Sequence, residues 1–274
     1  MTPEPIRWDA PGPYRVAFST RVGGVSAGPY DSLNLGTLTD DDPAAVVENR
    51  SRLCTSVGAD PATATMARQQ HGGRVCRARP TGVVAPGAAA ADAYDACDGL
   101  FTTDPGQGLL LVTADCVPIA LVRATAAPGT GGEPGNGLAA SAAAAPAPAP
   151  GLALLHAGWR GLLAGIVDQG IRALGGGPHP GAAPLAAAIG PSIGPCCYRV
   201  GDDVAAPFRE AFGKDIVSGG HLDLPTAVER ALRMAGVNRI RRFDRCTACN
   251  GDLFFSHRRD AGVTGRQGVI GVIA

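Results

Sequence analysis

Short apolar runs, each too brief for a long helix and each separated from the next by amphipathic or turn-rich sequence, constrain this chain more than any other feature. Runs at 14–19, 74–79, 109–113, 117–122, 152–156, 185–189, 239–243 and 268–273 predict strands. Amphipathic spacing predicts helices over 43–57, 161–174, 202–212 and 224–235. Asp42 before Pro43 opens the first helix and Gly58 closes it; Gly175-Gly176-Gly177 ends the second, and Gly236 the last. This interleaving points to an α/β or α+β fold. A length of 274 residues with 45% apolar content supplies the core of one large domain of that class or two small ones.

Charge narrows the partners. Lys and Arg number 24, as do Asp and Glu, so no field of one sign is available to hold nucleic acid or an anionic membrane, and a small neutral or mildly anionic substrate fits better. The first residues show no basic stretch followed by an apolar run, and no segment has the length of apolar residues a spanning helix needs, so the cytoplasm is the expected location. In that reducing compartment the eight cysteines are expected to be buried thiols, ligands or nucleophiles. Residues 124–150 are Ala/Gly/Pro-rich, with almost no charge and no large apolar side chain beyond Leu138, and are expected to form a disordered insertion between strands; 80–92 is a shorter tract of the same kind.

Reactive residues cluster at predicted strand ends, where a sheet fixes the backbone and leaves a loop side chain reachable. His71 precedes the 74–79 strand, Cys116 follows LLLVTAD, and His156 closes LALLH. Two imidazoles and a thiolate form a borderline-soft set suited to zinc or copper, and three protein ligands leave a position open. Taken singly each residue is ordinary, and their separations match no compact ligand motif. Arg160, in His156-Ala157-Gly158-Trp159-Arg160-Gly161 at a helix start, can hold an anion such as phosphate or lie on the surface beside a packed Trp. Phe254-Phe255-Ser256-His257-Arg258-Arg259-Asp260 reads either as the wall of an anion or ring pocket or as an edge strand with solvated charges. Cys246 and Cys249 have C-x-x-C spacing, but adjacent Cys196-Cys197 is not expected to chelate as a second pair, so a reduced, structural pair is expected. Two G-x-S-x-G matches, around Ser26 and Ser192, lack the strand-turn-helix setting of a nucleophile elbow.

Several segments together resemble the laccase-like multicopper polyphenol oxidoreductase family, also called peptidoglycan editing factors and described as zinc-containing purine nucleoside phosphorylases. They are FSTRVGGVSAGPYDSLNLG at 18–36, Asn49-Arg50, QQHGGRV at 69–75, DGLFTTDPGQGLLLVTADCVPIAL at 98–121, LLHAGWRGLLAGIV at 154–167, AIGPSIGPCCYRVGDDV at 188–204, LDLPTAVERALRMAGV at 222–237 and CTACNGDLFFSHRRDAGVTGR at 246–266. The resemblance is collinear over nearly the whole chain. It implies a single-domain α-β-β-α layered sandwich with mixed sheets spanning 1–274, a monomer or loose homodimer, and His71, Cys116 and His156 as metal ligands. It also implies phosphorolysis of adenosine, inosine, guanosine and methylthioadenosine, with adenosine deamination as a companion activity. Arg199 stands where the family usually carries Glu, so an acid role there is unfilled.

Phosphorolysis needs phosphate held beneath the sugar, stabilisation of an oxocarbenium-like transition state and help for the departing purine. With zinc as cofactor and inorganic phosphate as co-substrate, Arg160 is the expected phosphate clamp and Asp115 a proton carrier or orienter of the site. Arg21, Asn34 and Arg258 are further candidates for substrate binding. Two other readings use the same residues. One is a cysteine hydrolase acting on peptidoglycan precursors, with Cys116 as nucleophile and His71 or His156 as base. The other is copper-dependent phenol oxidation, which five histidines in the whole chain are too few to support with separate electron-transfer and oxygen-reducing centres.

Overall fold

The computed structural model describes residues 4–83, 94–124 and 149–274. The core of the expected 124–150 insertion, and most of the 80–92 tract, lie outside them. In chain order the strands are β1 (Ile6–Trp8), β2 (Tyr14–Phe18), β3 (Thr65–Met66), β4 (Val75–Arg77), β5 (Gly99–Thr102), β6 (Leu109–Thr113), β7 (Val117–Arg123), β8 (Leu152–Ala157), β9 (Leu185–Ile189), β10 (Val217–Ser218), β11 (His221–Leu222), β12 (Arg239–Arg242) and β13 (Gln267–Ile273). The α-helices are α1 (Pro43–Val57), α2 (Trp159–Leu163), α3 (Ile166–Ala173), α4 (Asp202–Phe212) and α5 (Leu224–Met234).

Among the described residues the strands form a five-stranded sheet ordered β1-β2-β13-β6-β3, a six-stranded sheet ordered β12-β9-β7-β8-β5-β4, and a β10-β11 hairpin. Both large sheets are mixed. In the first, β3 runs parallel to β6 while β13 opposes it; in the second, β4 is parallel to β5, and β12 to β9, around an antiparallel β7-β8 pair.

Strand periodicity sorts the apolar side chains into layers. Ala17, Leu110 and Ile270 cluster with Leu53 and Val57 of α1. The alternate residues Val16, Phe18, Leu111 and Val269 cluster with Ala120, Leu154 and Ala188 between the two sheets. On the far face, Ile119, Leu121, Leu155 and Ala187 cluster with Ile166 of α3, Phe208 of α4 and Val228 of α5. The result is the expected α-β-β-α sandwich. Because both faces of each sheet are covered, central strands such as LLLVT and LALLHA are apolar except for Thr113 and His156 near their ends instead of alternating. Phe18 and Phe208 are fully buried, and truncating either to Ala is expected to cost about 3–5 kcal/mol.

The first helix runs as the capping residues dictate: the Asp42 carboxylate accepts from the Ala44 N–H, and Gly58 adopts φ 72°. The helix expected over 161–174 is instead two, α2 and α3, broken at Gly165, whose φ of 80° is left-handed. That break brings Ala164 against the 71–73 turn: a Cβ on Gly73 would sit 2.3 Å from the Ala164 carbonyl oxygen. Residues 254–256 are irregular and 257–260 lie in a turn, so the segment is not a strand. No helix among the described residues is long and apolar enough to cross a membrane.

Candidate metal centre

Two connections pass from one sheet to the other at the same end of the sandwich. The 67–74 segment leaves β3 in the five-stranded sheet for β4 in the six-stranded sheet and carries His71; 114–116 leaves β6 for β7 and carries Cys116. His156 arrives from β8, where the β7-β8 register sets Pro118 opposite His156. The same register sets Val122 opposite Leu152, so the segment joining β7 to β8 departs from the opposite end, and its length has no bearing on how Cys116 meets His156. The ligand-capable atoms of His71, Cys116 and His156 all lie within 4.8 Å of one another. The two imidazoles meet edge to face, with centroids 4.8 Å apart.

Asp98, just before β5, orders this trio. Its carboxylate accepts from the backbone N–H groups of Gln70, His71 and Gly72 and lies 2.9 Å from His156 Nδ1. The ring proton thus sits on Nδ1 and leaves Nε2 as the ligand atom, the usual carboxylate–histidine support of a metal site. His71 itself has φ 61° and Asp115 φ 86°, conformations that cost a residue with a Cβ roughly 1–2 kcal/mol. The Asp98 contacts hold the first. The second is held by Thr247 Oγ1 and the Arg258 N–H, which donate to the two Asp115 carboxylate oxygens at 2.6 and 2.7 Å. Glycine gives the closest fit beside the trio, because a Cβ on Gly158 would lie 3.1 Å from both Cys116 Sγ and His71 Cδ2 and displace them by a few tenths of an ångström.

Electrostatics favour a Cys116 thiolate paired with a protonated His156, whose proton a metal would displace. Burial pushes the Cys116 thiol up, but the charge of His156 and hydrogen bonds from His156 and His71 outweigh it and bring it down to about 6. Burial lowers His156, yet the Cys116 charge and the Asp98 hydrogen bond raise it overall. Burial raises Asp98, but hydrogen bonds from His156 and from the Gly72 and Gln70 N–H groups hold it below its ordinary value. A thiolate, an oriented imidazole and a second imidazole fit a zinc ion with one position to spare.

That position opens onto a cavity of about 450 Å³, a size suited to a small molecule. Asp115, His257, Arg258, Tyr198, Arg68 and Arg266 line it with the trio. Burial and the Cys116 charge push the Tyr198 phenol up to about 12, so it is a neutral donor. Arg50, buried in the cavity wall, is lowered to about 10 by desolvation and donates to the Leu35 and Val83 carbonyls.

The other expected residues are dispersed. Arg160 is exposed, stacks on Trp159 at 4.1 Å and is not part of the cavity wall. Arg21 lies over Phe255 and donates to the Asp31 and Gly251 carbonyls. Asn34 is buried and bonds Thr39, Asp41, Gly36 and Arg266, so it shapes the loop beside the cavity without lining it. Arg199 contributes its carbonyl to Arg258. Asp98, Arg266 and Tyr198 were not singled out from sequence; only a carboxylate just before a buried strand hints at the first.

The cysteine geometry also departs from expectation: adjacency does not keep Cys196 and Cys197 from the C-x-x-C pair, since the sulfurs of Cys196, Cys197, Cys246 and Cys249 all lie within 4.8 Å of one another.

The model of the multi-copper polyphenol oxidoreductase laccase family matches residues 15–128 and 146–274. A Deinococcus radiodurans protein named purine nucleoside phosphorylase is 38% identical over 263 residues, covering 93% of this chain and 88% of its own. The Geobacillus stearothermophilus purine nucleoside phosphorylase YlmD is 36% identical over 260 residues, covering 91% and 86%. The crystal structure of YlmD superposes with a TM-score of 0.76, at 33% identity and with 97% and 94% of the two chains covered. Neisseria meningitidis protein NMB0706 gives 0.76 at 28% identity, covering 100% and 99%.

Proposed function

From the premise that this chain belongs to the multi-copper polyphenol oxidoreductase laccase family, we propose that it is a zinc-dependent purine nucleoside phosphorylase, converting a purine nucleoside and phosphate to free base and ribose 1-phosphate. Adenosine, inosine, guanosine and methylthioadenosine are its substrates in this reading, and adenosine deamination is a companion activity. The observation that carries it is the opening of the His71–Cys116–His156 trio onto a cavity whose wall also carries guanidinium groups; the names of the relatives supply the substrate class. Residues 1–274 act as one catalytic domain, in the cytoplasm, as a monomer or loose homodimer.

Zinc held by the trio supplies Lewis acidity toward a purine substituent or an attacking water. The chain's own groups do the rest. Arg258 and Arg266, both at the cavity wall, offer the cationic donors a phosphate nucleophile needs, while Arg160 and Arg21 are held off that wall and serve, if at all, at its approach. Tyr198, kept neutral, can donate to a sugar hydroxyl or the purine. Asp115 has both carboxylate oxygens engaged by Thr247 and Arg258, so its role is to position the Cys116 turn and Arg258. Asn34 acts through Arg266 in the same way.

The test follows adenine, inosine and ribose 1-phosphate chromatographically from adenosine with and without phosphate. Adenine release that requires phosphate and disappears in His71→Ala is the expected result; a zinc-loaded, folded protein that releases none overturns the reading. A second reading, a cysteine hydrolase acting on peptidoglycan precursors, is favoured by one observation: the lowered Cys116 thiol beside the raised His156 is also the ion pair of a cysteine nucleophile. A chelator separates the two, because it inhibits a zinc phosphorylase and stimulates an enzyme that needs a free thiolate. Copper in place of zinc, as the family's name suggests, would be read from the metal content of the same sample.

A further inference from the structure

Outside the cavity, four cysteines from two distant segments converge on the surface. Cys196 and Cys197 lie in the turn that follows β9; Cys246 and Cys249 bracket the turn that follows β12. Since β9 and β12 run parallel and adjacent, their ends deliver both turns to one place. Cys249 Sγ is 3.4 Å from both Cys196 Sγ and Cys197 Sγ, and all four sulfurs are within 4.8 Å of one another. A tetrahedral zinc with ~2.3 Å bonds to sulfur needs neighbouring sulfurs about 3.8 Å apart. A disulfide needs them at about 2.0 Å.

Hydrophobic packing does not account for the cluster. Cys196 and Cys249 are exposed and the other two half-buried, whereas an unliganded cysteine is among the residues most often fully buried. The backbone is arranged around the sulfurs: the Gly194 N–H donates to Cys246 Sγ at 3.3 Å, and a Cβ on Gly194 would lie 3.4 Å from Cys196 Sγ. An N–H aimed at sulfur stabilises a thiolate.

We propose that Cys196, Cys197, Cys246 and Cys249 form a second, structural zinc site, a closed tetrathiolate that clips the turn after β9 to the turn after β12. Four protein ligands leave no open position, so its role is to hold shape. Both turns reach the cavity: Tyr198 follows Cys197 and lines it, and Thr247, between Cys246 and Cys249, donates to Asp115. The clip therefore steadies one wall of the cavity from outside.

Metal analysis of protein purified anaerobically under reducing conditions tests this without reference to catalysis. About two zinc ions per chain are expected in the wild type, and about one in each of His71→Ala and C246S/C249S. In zinc-loaded His71→Ala, the four cysteines should resist alkylation, as mapped by mass spectrometry, until a chelator is added. Cobalt substituted into the same variant should give the charge-transfer and d–d bands of a tetrahedral tetrathiolate. These two measurements leave the cluster unmutated, so a failure of C246S/C249S to fold does not affect them. One zinc in the wild type that vanishes in His71→Ala, rapid alkylation of all four thiols in the loaded protein, a disulfide among them under reducing conditions, or iron in place of zinc would each overturn the proposal.

Discussion

The two thiol clusters of this protein are built from the same element in opposite ways. At the His71–Cys116–His156 trio a single cysteine is set among imidazoles, one of them fully enclosed and backed by Asp98, and the group faces a cavity. At the 196–249 cluster, four sulfurs lie together at the surface, and none of them lines that cavity. Ligand number and what stands in front of the ligands thus separate a site able to accept a substrate from one that can only be filled. The supporting structure differs in kind as well: a buried carboxylate gathers three backbone N–H groups and an imidazole in the first, while a single glycine N–H and the spacing of two strand ends suffice for the second.

This contrast is most directly broken by substituting one cysteine of each kind. Cys116→Ala should lower kcat/KM for adenosine phosphorolysis by at least about 10³-fold, whereas Cys196→Ser should lower it less than about tenfold; equal losses would erase the distinction. Asp98→Asn keeps an acceptor and the fold but weakens the hold on His156. Zinc affinity at the trio, measured by competition with a chromophoric chelator, should fall about 10–100-fold with an unchanged circular dichroism spectrum.

The pH dependence sharpens the comparison further. Because the Cys116 thiol is brought down to about 6 in the folded protein, it is a thiolate above that pH, and protons compete for it below. Zinc must also displace the proton that His156, raised to about 9, holds at neutral pH; affinity at the trio should therefore fall about tenfold per pH unit below about 9 and about a hundredfold per unit below about 6. Equilibrium dialysis of C246S/C249S across that range isolates the trio. The smallest effect is expected for Gly158→Ala: a Cβ 3.1 Å from Cys116 Sγ and His71 Cδ2 should displace both by a few tenths of an ångström and cost about 1 kcal/mol of zinc binding, read by the same competition assay.

Much of the framework is legible in the chain. Strands doubly covered by apolar layers appear as unbroken runs, and α1 begins and ends at the residues its caps require. What the runs do not reveal is which sheet each joins. β6 and β7 are separated by only three residues, a spacing short enough for a hairpin, yet they belong to different sheets, because Asp115 turns the chain across the sandwich with a left-handed φ. Their places at strand ends mark His71, Cys116 and His156 as reactive residues, but only the family resemblance joins them as a candidate ligand set; Asp98 escapes both, since its work is done through the backbone of residues distant in sequence. The cysteine cluster was misread for a related reason: its assembly depends on the parallel pairing of β9 with β12, which no spacing rule encodes. Arg160 looked like a clamp beside a ligand, but the short α2 directs it onto Trp159.

The two crossings between sheets also set an order of events. His71 and Cys116 each ride a segment whose ends are anchored in different sheets, and His156 comes from the second sheet alone. No contiguous stretch of the nascent chain gathers the three side chains, so on the proposed zinc reading the metal would have no complete seat until both sheets have formed and stacked. Loading of the trio would then be a late step in maturation, a checkpoint passed only by chains with the sandwich already closed.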